Sequence, residues 1–427
     1  MPAIPEDDKT EAYQRLRRLQ EHSRSDIPAM MAHRAMSSFT LQEEPAPKEA
    51  NEQILVVIYP QDPFVSSPEV RLMNAGDIRP GLSNTRVRIQ DSRGGSIAEP
   101  DADGNYMFWP DDPRFDQVNA FYYVTLTLRM YERYARRTLP WSFPTPRLTV
   151  EVAAGDGGNA FYNEQDQQVG FQSFRLNGDL HSTAHSADII SHEAAHAILD
   201  GVRDLHNESF GLGPMAFHES FGDITAMLIA LHDDSLVKRV LDWTNNDLRL
   251  TNFVTEVAEH LTGVLMGTGE GYRRGNTIYL RNAINDLRAM PFDRLDYSPA
   301  DPEFTLGRQS HNYSRLFSGA FYDIFAGIYE HCKAKTPPHI AIYRARDAVG
   351  HLLMSAIELG PVGEFDFSDM ARAFVTADHV VYDGQYRSIL MSVFNERGLL
   401  EKAEVDEYVT ALNALPEAQR EVVTLSF

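Results

Sequence analysis

The segment from Ala187 to Ile198 constrains the fold and chemistry of this chain most. It contains two histidines four residues apart, and a glutamate directly follows the first of them. No proline or glycine interrupts the segment, and its alanines and isoleucines favour a buried helix. Positions i and i+4 lie on one face of an α-helix, so His192 and His196 would present both imidazoles to one Zn²⁺. Glu193 would stand where it can take a proton from a metal-bound water. The sequence therefore predicts a zinc-binding helix that ends near Asp200-Gly201.

Three fixed letters also arise by chance, in roughly a few per cent of chains with this length and histidine content. The alternative reading is a pair of core histidines one turn apart. A second pair of residues argues against this alternative. Glu219 and Asp223 are also one turn apart, in an apolar segment, 215–231, that follows Pro214. A catalytic zinc takes three protein ligands and keeps a position for water, so Glu219 would complete a His₂Glu set.

Two neighbours of that third ligand need separate interpretation. Asp223 could accept the ring N–H of a ligand histidine, which fixes its tautomer. Without the motif upstream, Asp223 would equally be an ordinary acid on a helix surface. His218 directly precedes Glu219, and adjacent helical residues point about 100° apart. We therefore expect His218 not to be a ligand.

Composition narrows the class of protein. The chain has 427 residues, 43% of them hydrophobic, which predicts a buried core and two or three domains. A net charge of −22 argues against a nucleic-acid partner, since phosphate binding needs a basic footprint. No run approaches the ~20 apolar residues of a membrane span, and no signal-like apolar segment follows the acidic N-terminus. With one cysteine, Cys332, the default expectation is a cytoplasmic protein, with export by another route left open.

Periodicity divides the chain into four parts. In residues 1–52 the pattern predicts a short amphipathic helix, near 8–24, followed by a linker. Residues 53–112 predict a small β-rich domain or the opening sheet of the catalytic unit. Residues 113–201 form an N-terminal catalytic lobe with the zinc helix, and residues 202–427 an almost wholly helical C-terminal lobe with the third ligand. Strands are expected near 54–59, 85–90, 148–152 and 169–174, and a helix at 115–136.

These residues resemble the thermolysin-like family of zinc endopeptidases, whose third ligand is a glutamate. Asp188 stands four residues before His192, as in the family's Asp-x-x-x-His-Glu pattern. Residues 159–163, Asn-Ala-Phe-Tyr-Asn, resemble the family's edge strand, and residues 316–323 its Ser-Gly helix. The resemblance covers roughly residues 113–395. It implies an α+β, zincin-type catalytic unit of two lobes with zinc in the cleft, here with an N-terminal β-rich extension. It also implies a peptide or protein substrate whose backbone binds Asn159 and Ala160.

The chain departs from the family at the groups that bind the oxyanion. Phe210 stands nearest to the family's tyrosine and has no hydroxyl, and Arg315 stands where a histidine is expected before Ser318. His311 is the nearest histidine and is the candidate for that catalytic role, although an exposed loop histidine is the alternative. The family's secreted members bind calcium. No clear calcium loop is present, because the acidic segment 101–105 lacks a bidentate glutamate at the required distance and favours a β-turn.

Two other classes stay open. One is a protein that keeps the zinc site but acts as a binding or scaffold module, which the altered oxyanion residues would favour. The other is an aminopeptidase or a protease of narrow specificity. A purely structural zinc is disfavoured, because a closed site needs a fourth ligand and no cysteine lies nearby. Cleavage specificity and oligomeric state are not encoded in any motif of this sequence.

Overall fold

The computed structural model describes residues 53–176, 179–205, 211–258, 272–274, 277–295 and 305–401, with four further positions up to 410. These residues form a mixed α+β fold of eight α-helices and several small sheets, which confirms the predicted α+β class. None of the helices within these ranges is both long and apolar enough to cross a membrane. The helix and linker predicted in residues 1–52 lie outside the described residues.

The first elements form a hairpin that is built into the body of the protein. Strand β1 (Gln53–Ile58) pairs antiparallel with β2 (Glu69–Asn74), as predicted for the apolar run at 54–59. Alternate residues of β1 serve two cores, because Ile54, Val56 and Ile58 join the main core and Leu55 and Val57 join a small second one. Helix α1 (Arg114–Ala135) packs against β1.

A four-stranded sheet lies next to the helix that contains His192 and His196. Its strands are β3 (Val87–Gln90), β4 (Leu148–Glu151), β5 (Ala160–Asn163) and β6 (Gln168–Phe171), in the order β3-β4-β6-β5. The first three in that order run parallel, and β5 is an antiparallel edge strand. Because β3 pairs with β4, residues 53–112 contribute a strand to this sheet. A hairpin of β7 (Ser173–Leu176) and β8 (Asp179–Ser182) then leads into the next helix.

Two helices that pack side by side carry the predicted ligands. Helix α2 (Ala187–Val202) follows the N-cap Ser186 and contains both histidines of the motif. It ends within two residues of the predicted stop. Helix α3 (Leu212–Ala230) begins after Gly211 and carries Glu219 and Asp223. Both helices are apolar over most of their length and pack against each other, so the predicted ligands are polar side chains in mainly apolar surroundings.

The rest of the chain is mainly helical. The remaining helices are α4 (Asp234–Trp243), α5 (Ser310–Lys333), α6 (Pro338–Leu359), α7 (Phe367–Tyr382) and α8 (Arg387–Glu396). Between α4 and α5 the described residues form four short strands, β9 (Glu256–Val257), β10 (Tyr272–Arg274), β11 (Thr277–Tyr279) and β12 (Arg281–Asn282). The expectation of an almost wholly helical C-terminal part is therefore wrong here. The β-branched and aromatic residues of these short segments favour extended pairing.

One hydrophobic core runs through the described residues, from Ile54 on β1 to Leu400 beyond α8. It includes side chains of the four-stranded sheet, of α2 and α3, and of the C-terminal helices. The β-rich and helical parts thus share buried apolar surface instead of forming separate cores. This continuity holds α2 and α3 rigidly beside the sheet.

Candidate metal centre

The two histidines of the motif face the same side of α2. The rings of His192 and His196 lie 4.7 Å apart, centroid to centroid, and nearly perpendicular to each other, and both side chains are buried. Possible ligand atoms of His192, Glu193 and His196 all lie within 4.8 Å of one another. This is the arrangement that the spacing of four residues predicts for a helix.

Glu219 of α3 approaches His192 from the facing helix. Its Oε2 lies 3.4 Å from Nε2 of His192. Two donors that each bind a tetrahedral zinc at about 2.0–2.1 Å are separated by about 3.4 Å, so this spacing fits a shared metal ion. Glu219 Oε2 is also buried, and its polar neighbours are the imidazoles of His192 at 3.4 Å and His311 at 3.2 Å.

The charge of Glu219 is favoured by its surroundings. Burial alone would oppose ionisation, but the imidazoles of His192 and His196 outweigh it and hold the pKa of Glu219 well below its usual range. The same carboxylates act on His192. Burial disfavours its imidazolium, yet Asp223 and Glu219 raise the pKa of His192 to about 10. Metal binding would therefore displace a proton from this ring.

Glu193 lies between the ligand histidines and the edge of the sheet. Burial raises the pKa of its carboxyl group to about 7, against the attraction of His192, and the backbone N–H of Tyr162 on β5 donates to it. A cation bound by the histidines would lower this pKa by attraction. The structure thus places an ionisable carboxyl group beside both the candidate metal and strand β5.

His192 is supported by a buried ion pair. Asp223 Oδ1 lies 3.2 Å from Nδ1 of His192, on the side of the ring away from Glu219. Arg281 of β12 donates to both oxygens of Asp223 at 2.7–3.0 Å. Burial opposes ionisation of Asp223, but Arg281 holds its pKa below the usual range. The predicted proximity of Asp223 to a ligand histidine is observed, whereas sequence reasoning missed Arg281.

His196 has a different support. Its Nδ1 lies 2.6 Å from Nδ1 of His218, and Nε2 of His218 lies 2.8 Å from Oδ1 of Asp200. His218 therefore points at a ligand histidine and not into the space between His192 and Glu219. Sequence reasoning set it aside as a ligand and missed this contact. The position of His218 directly before Glu219, on a buried helix, was the sequence signal that could have predicted this contact.

Close packing of α3 against the His192 ring depends on Gly222. A Cβ atom at this position would lie 2.4–2.7 Å from three atoms of the imidazole. Distances below 3.0 Å require something to move, so only glycine lets the ring stand in its observed place. Gly222 lies one residue before Asp223, and the same turn of α3 therefore both receives and orients the ring.

Other predicted residues surround this cluster at the surface. His311, at the start of α5, has Nε2 3.2 Å from Oε2 of Glu219, and 52% of its side chain is exposed. Gln309 contacts its other ring nitrogen at 2.6 Å. Asn159 and Ala160 lie where β5 begins, three and two residues before Tyr162, whose backbone reaches Glu193. His311 and the edge strand thus both lie next to the cluster.

Asp188 has other partners than the ligand histidines. It lies in the first turn of α2, where it is buried and accepts hydrogen bonds from Gln61 and from the backbone N–H of Ala258. It therefore anchors the start of α2 instead of supporting an imidazole. Burial, reinforced by the nearby Asp62, raises its pKa well above the usual value. Phe210, the position nearest to the family's tyrosine, lies outside the described residues.

Comparisons with known proteins add no assignment. No family model matches this chain, and no curated protein sequence matches it either. The interpretation of the site therefore depends on its own geometry and on the motifs described above.

Proposed function

We propose that this protein is a zinc-dependent peptidase of the thermolysin-like type, with a zincin arrangement in which the β-rich and helical parts face the metal from two sides. The observation that carries the proposal is the 3.4 Å spacing between His192 Nε2 and Glu219 Oε2, with Glu193 beside them. His192, His196 and Glu219 would hold the zinc. A structural zinc would need a fourth protein ligand, whereas this set leaves room for water.

Each remaining group has a separate task in peptide hydrolysis. Zinc, when bound, would polarise the scissile carbonyl and lower the pKa of the attacking water. Glu193 accepts the proton of that water and delivers it to the leaving amine, as general base and then general acid. Its contact with the backbone of Tyr162 keeps the carboxyl group next to β5. A substrate strand added to β5 near Asn159 and Ala160 would bring its carbonyl to Glu193.

Removal and return of the metal test the proposal. We expect the zinc-loaded protein to cleave a peptide library, a chelator to abolish cleavage, and stoichiometric zinc to restore it. Because ligand binding stabilises the folded state, zinc at a hundred times its dissociation constant should add about 2.7 kcal/mol to the free energy of unfolding. Denaturant titration with and without zinc measures this.

The outcomes separate the alternatives. Zinc binding without cleavage would contradict the peptidase and support a binding module. Cleavage confined to the first residue of each peptide would indicate an aminopeptidase, and internal cleavage an endopeptidase. Cleavage that persists when the protein contains no metal would contradict the whole proposal.

His311 gives a further prediction for the same reaction. Its Nε2 can donate a hydrogen bond to an oxyanion near Glu219, so His311→Phe should lower kcat by about 10²-fold. KM and zinc affinity should change little, because the side chain is half exposed and is not among the proposed ligands. Steady-state kinetics together with a zinc titration measure these values. The control is His339→Phe at an exposed position of α6, and equal rates in the two variants would refute the role of His311.

A further inference from the structure

A buried chain of three side chains extends from the second proposed ligand into the protein. His196 contacts His218 through the two Nδ1 atoms, 2.6 Å apart, and His218 contacts Asp200 through Nε2 at 2.8 Å. All three side chains are buried, with relative exposures of 8%, 2% and 2%. Asp200 stands one turn after His196 on α2, and His218 comes from α3, so the chain crosses between the two helices twice.

The protons in this chain can be assigned from the chemistry of the groups. An ionised carboxylate only accepts, so His218 donates its Nε2–H to Asp200. When its single ring proton is on Nε2, the Nδ1 of His218 is an acceptor. The contact of 2.6 Å between the two Nδ1 atoms requires one proton, which His196 therefore supplies. In this arrangement His196 carries no proton on Nε2, the ring nitrogen that does not contact His218.

The opposite assignment of protons to His218 and His196 would prevent His196 from binding a metal. If His218 donated from Nδ1, then Nδ1 of His196 would be the acceptor and its proton would stand on Nε2, where a metal has to bind. Asp200 prevents this by binding the Nε2–H of His218, which leaves the other nitrogen of that ring without a proton. Asp200 thus determines the tautomer of His196 through the side chain of His218.

We propose that His218, held by Asp200, is a positioning residue that fixes His196 in the tautomer that binds zinc. The inference rests on the proposed zinc site but not on peptide hydrolysis. The two proposed ligand histidines then have different partners. His192 contacts the carboxylate of Asp223, which is paired with Arg281, and His196 contacts the imidazole of His218. Outer partners of metal-bound histidines typically change metal affinity by about 10–100-fold.

The test measures zinc affinity with a competing chromophoric chelator, at a temperature where every variant is folded by circular dichroism. We expect His218→Leu to weaken zinc binding by about 10–100-fold. His218→Asn should stay within about threefold of the original protein, because an amide oxygen can accept the His196 proton. The matched control is His185→Leu, which removes another buried imidazole–carboxylate contact, His185 to Asp116 at 2.8 Å, and should leave zinc affinity unchanged.

Asp200→Asn extends the test if the leucine variant does not fold. It keeps the shape of the side chain and removes its charge, and we expect a loss at the lower end of the same range, about tenfold. Unchanged affinity in both His218→Leu and Asp200→Asn would overturn the inference, as would equal weakening in His218→Asn and His218→Leu. If the unmodified protein binds zinc but cleaves no peptide, the peptidase proposal fails and this inference stands. If it binds no zinc, both fail.

Discussion

Glu193→Gln is expected to lower peptide hydrolysis by about 10²–10⁴-fold while zinc stays bound. The substitution keeps the size of the side chain and removes its ability to accept a proton. Glu193 is placed for that role by its distance from the ligand histidines, within 4.8 Å, and by the hydrogen bond from the backbone of Tyr162. The amide oxygen of glutamine can accept this bond, so the substrate strand should still bind. Turnover and zinc content, measured on the same sample, check the prediction.

Glu219→Gln is the matched variant, because it makes the same chemical change at the proposed ligand. It should weaken zinc binding by about tenfold, since the neutral amide oxygen is a poorer ligand than a carboxylate. Its hydrolysis should recover when zinc is added in excess, at least in part, whereas that of Glu193→Gln should not. If Glu193→Gln loses zinc and Glu219→Gln retains it, the two glutamates have been assigned the wrong way round.

The sequence predicts the parts of this site that follow from helix geometry. His192 and His196 stand one turn apart on one helix, and Glu219 and Asp223 one turn apart on another, so each pair shares a face wherever the helices lie. That the helices face each other does not follow from the spacing. It depends on the apolar packing of α2 against α3 and on the absence of a side chain at Gly222.

The supporting residues could not be found in the same way. Arg281 lies on a strand of two residues, too short for a periodic signal, and it reaches Asp223 across 58 positions of sequence. His311, which the family resemblance suggested and no spacing predicted, lies 92 positions beyond Glu219, at the first turn of α5. Contacts of this kind are decided by the tertiary fold, where a few residues from distant segments meet. A single sequence records which residues are available but not which of them meet.

Gly222→Ala is expected to weaken zinc binding by roughly 10²–10³-fold. The added methyl group would stand 2.4–2.7 Å from the ring of His192, so the imidazole has to leave its position between Asp223 and Glu219. Zinc held by four ligands in zinc-finger peptides contributes roughly 10–16 kcal/mol, which is roughly 2.5–4 kcal/mol for each ligand, and each 1.4 kcal/mol is tenfold in affinity. Helix propensity works in the other direction, because alanine is favoured over glycine by about 1 kcal/mol in a helix interior. A loss of zinc would therefore come from the ring contact and not from a weakened α3.

Gly350→Ala is the control that separates this effect from general destabilisation. Gly350 is also inside a helix, α6, and a Cβ atom there would lie 2.3–2.6 Å from the ring of Tyr134, as close as Gly222 is to His192. Both substitutions press a methyl group into an aromatic ring, and we expect both to lower the midpoint of thermal unfolding of the metal-free protein by similar amounts. Only Gly222→Ala should weaken zinc binding, because only His192 is a proposed ligand. Equal zinc affinity in the two variants would show that the position of the His192 ring is unimportant for the metal, and the proposed ligand set would have to be abandoned.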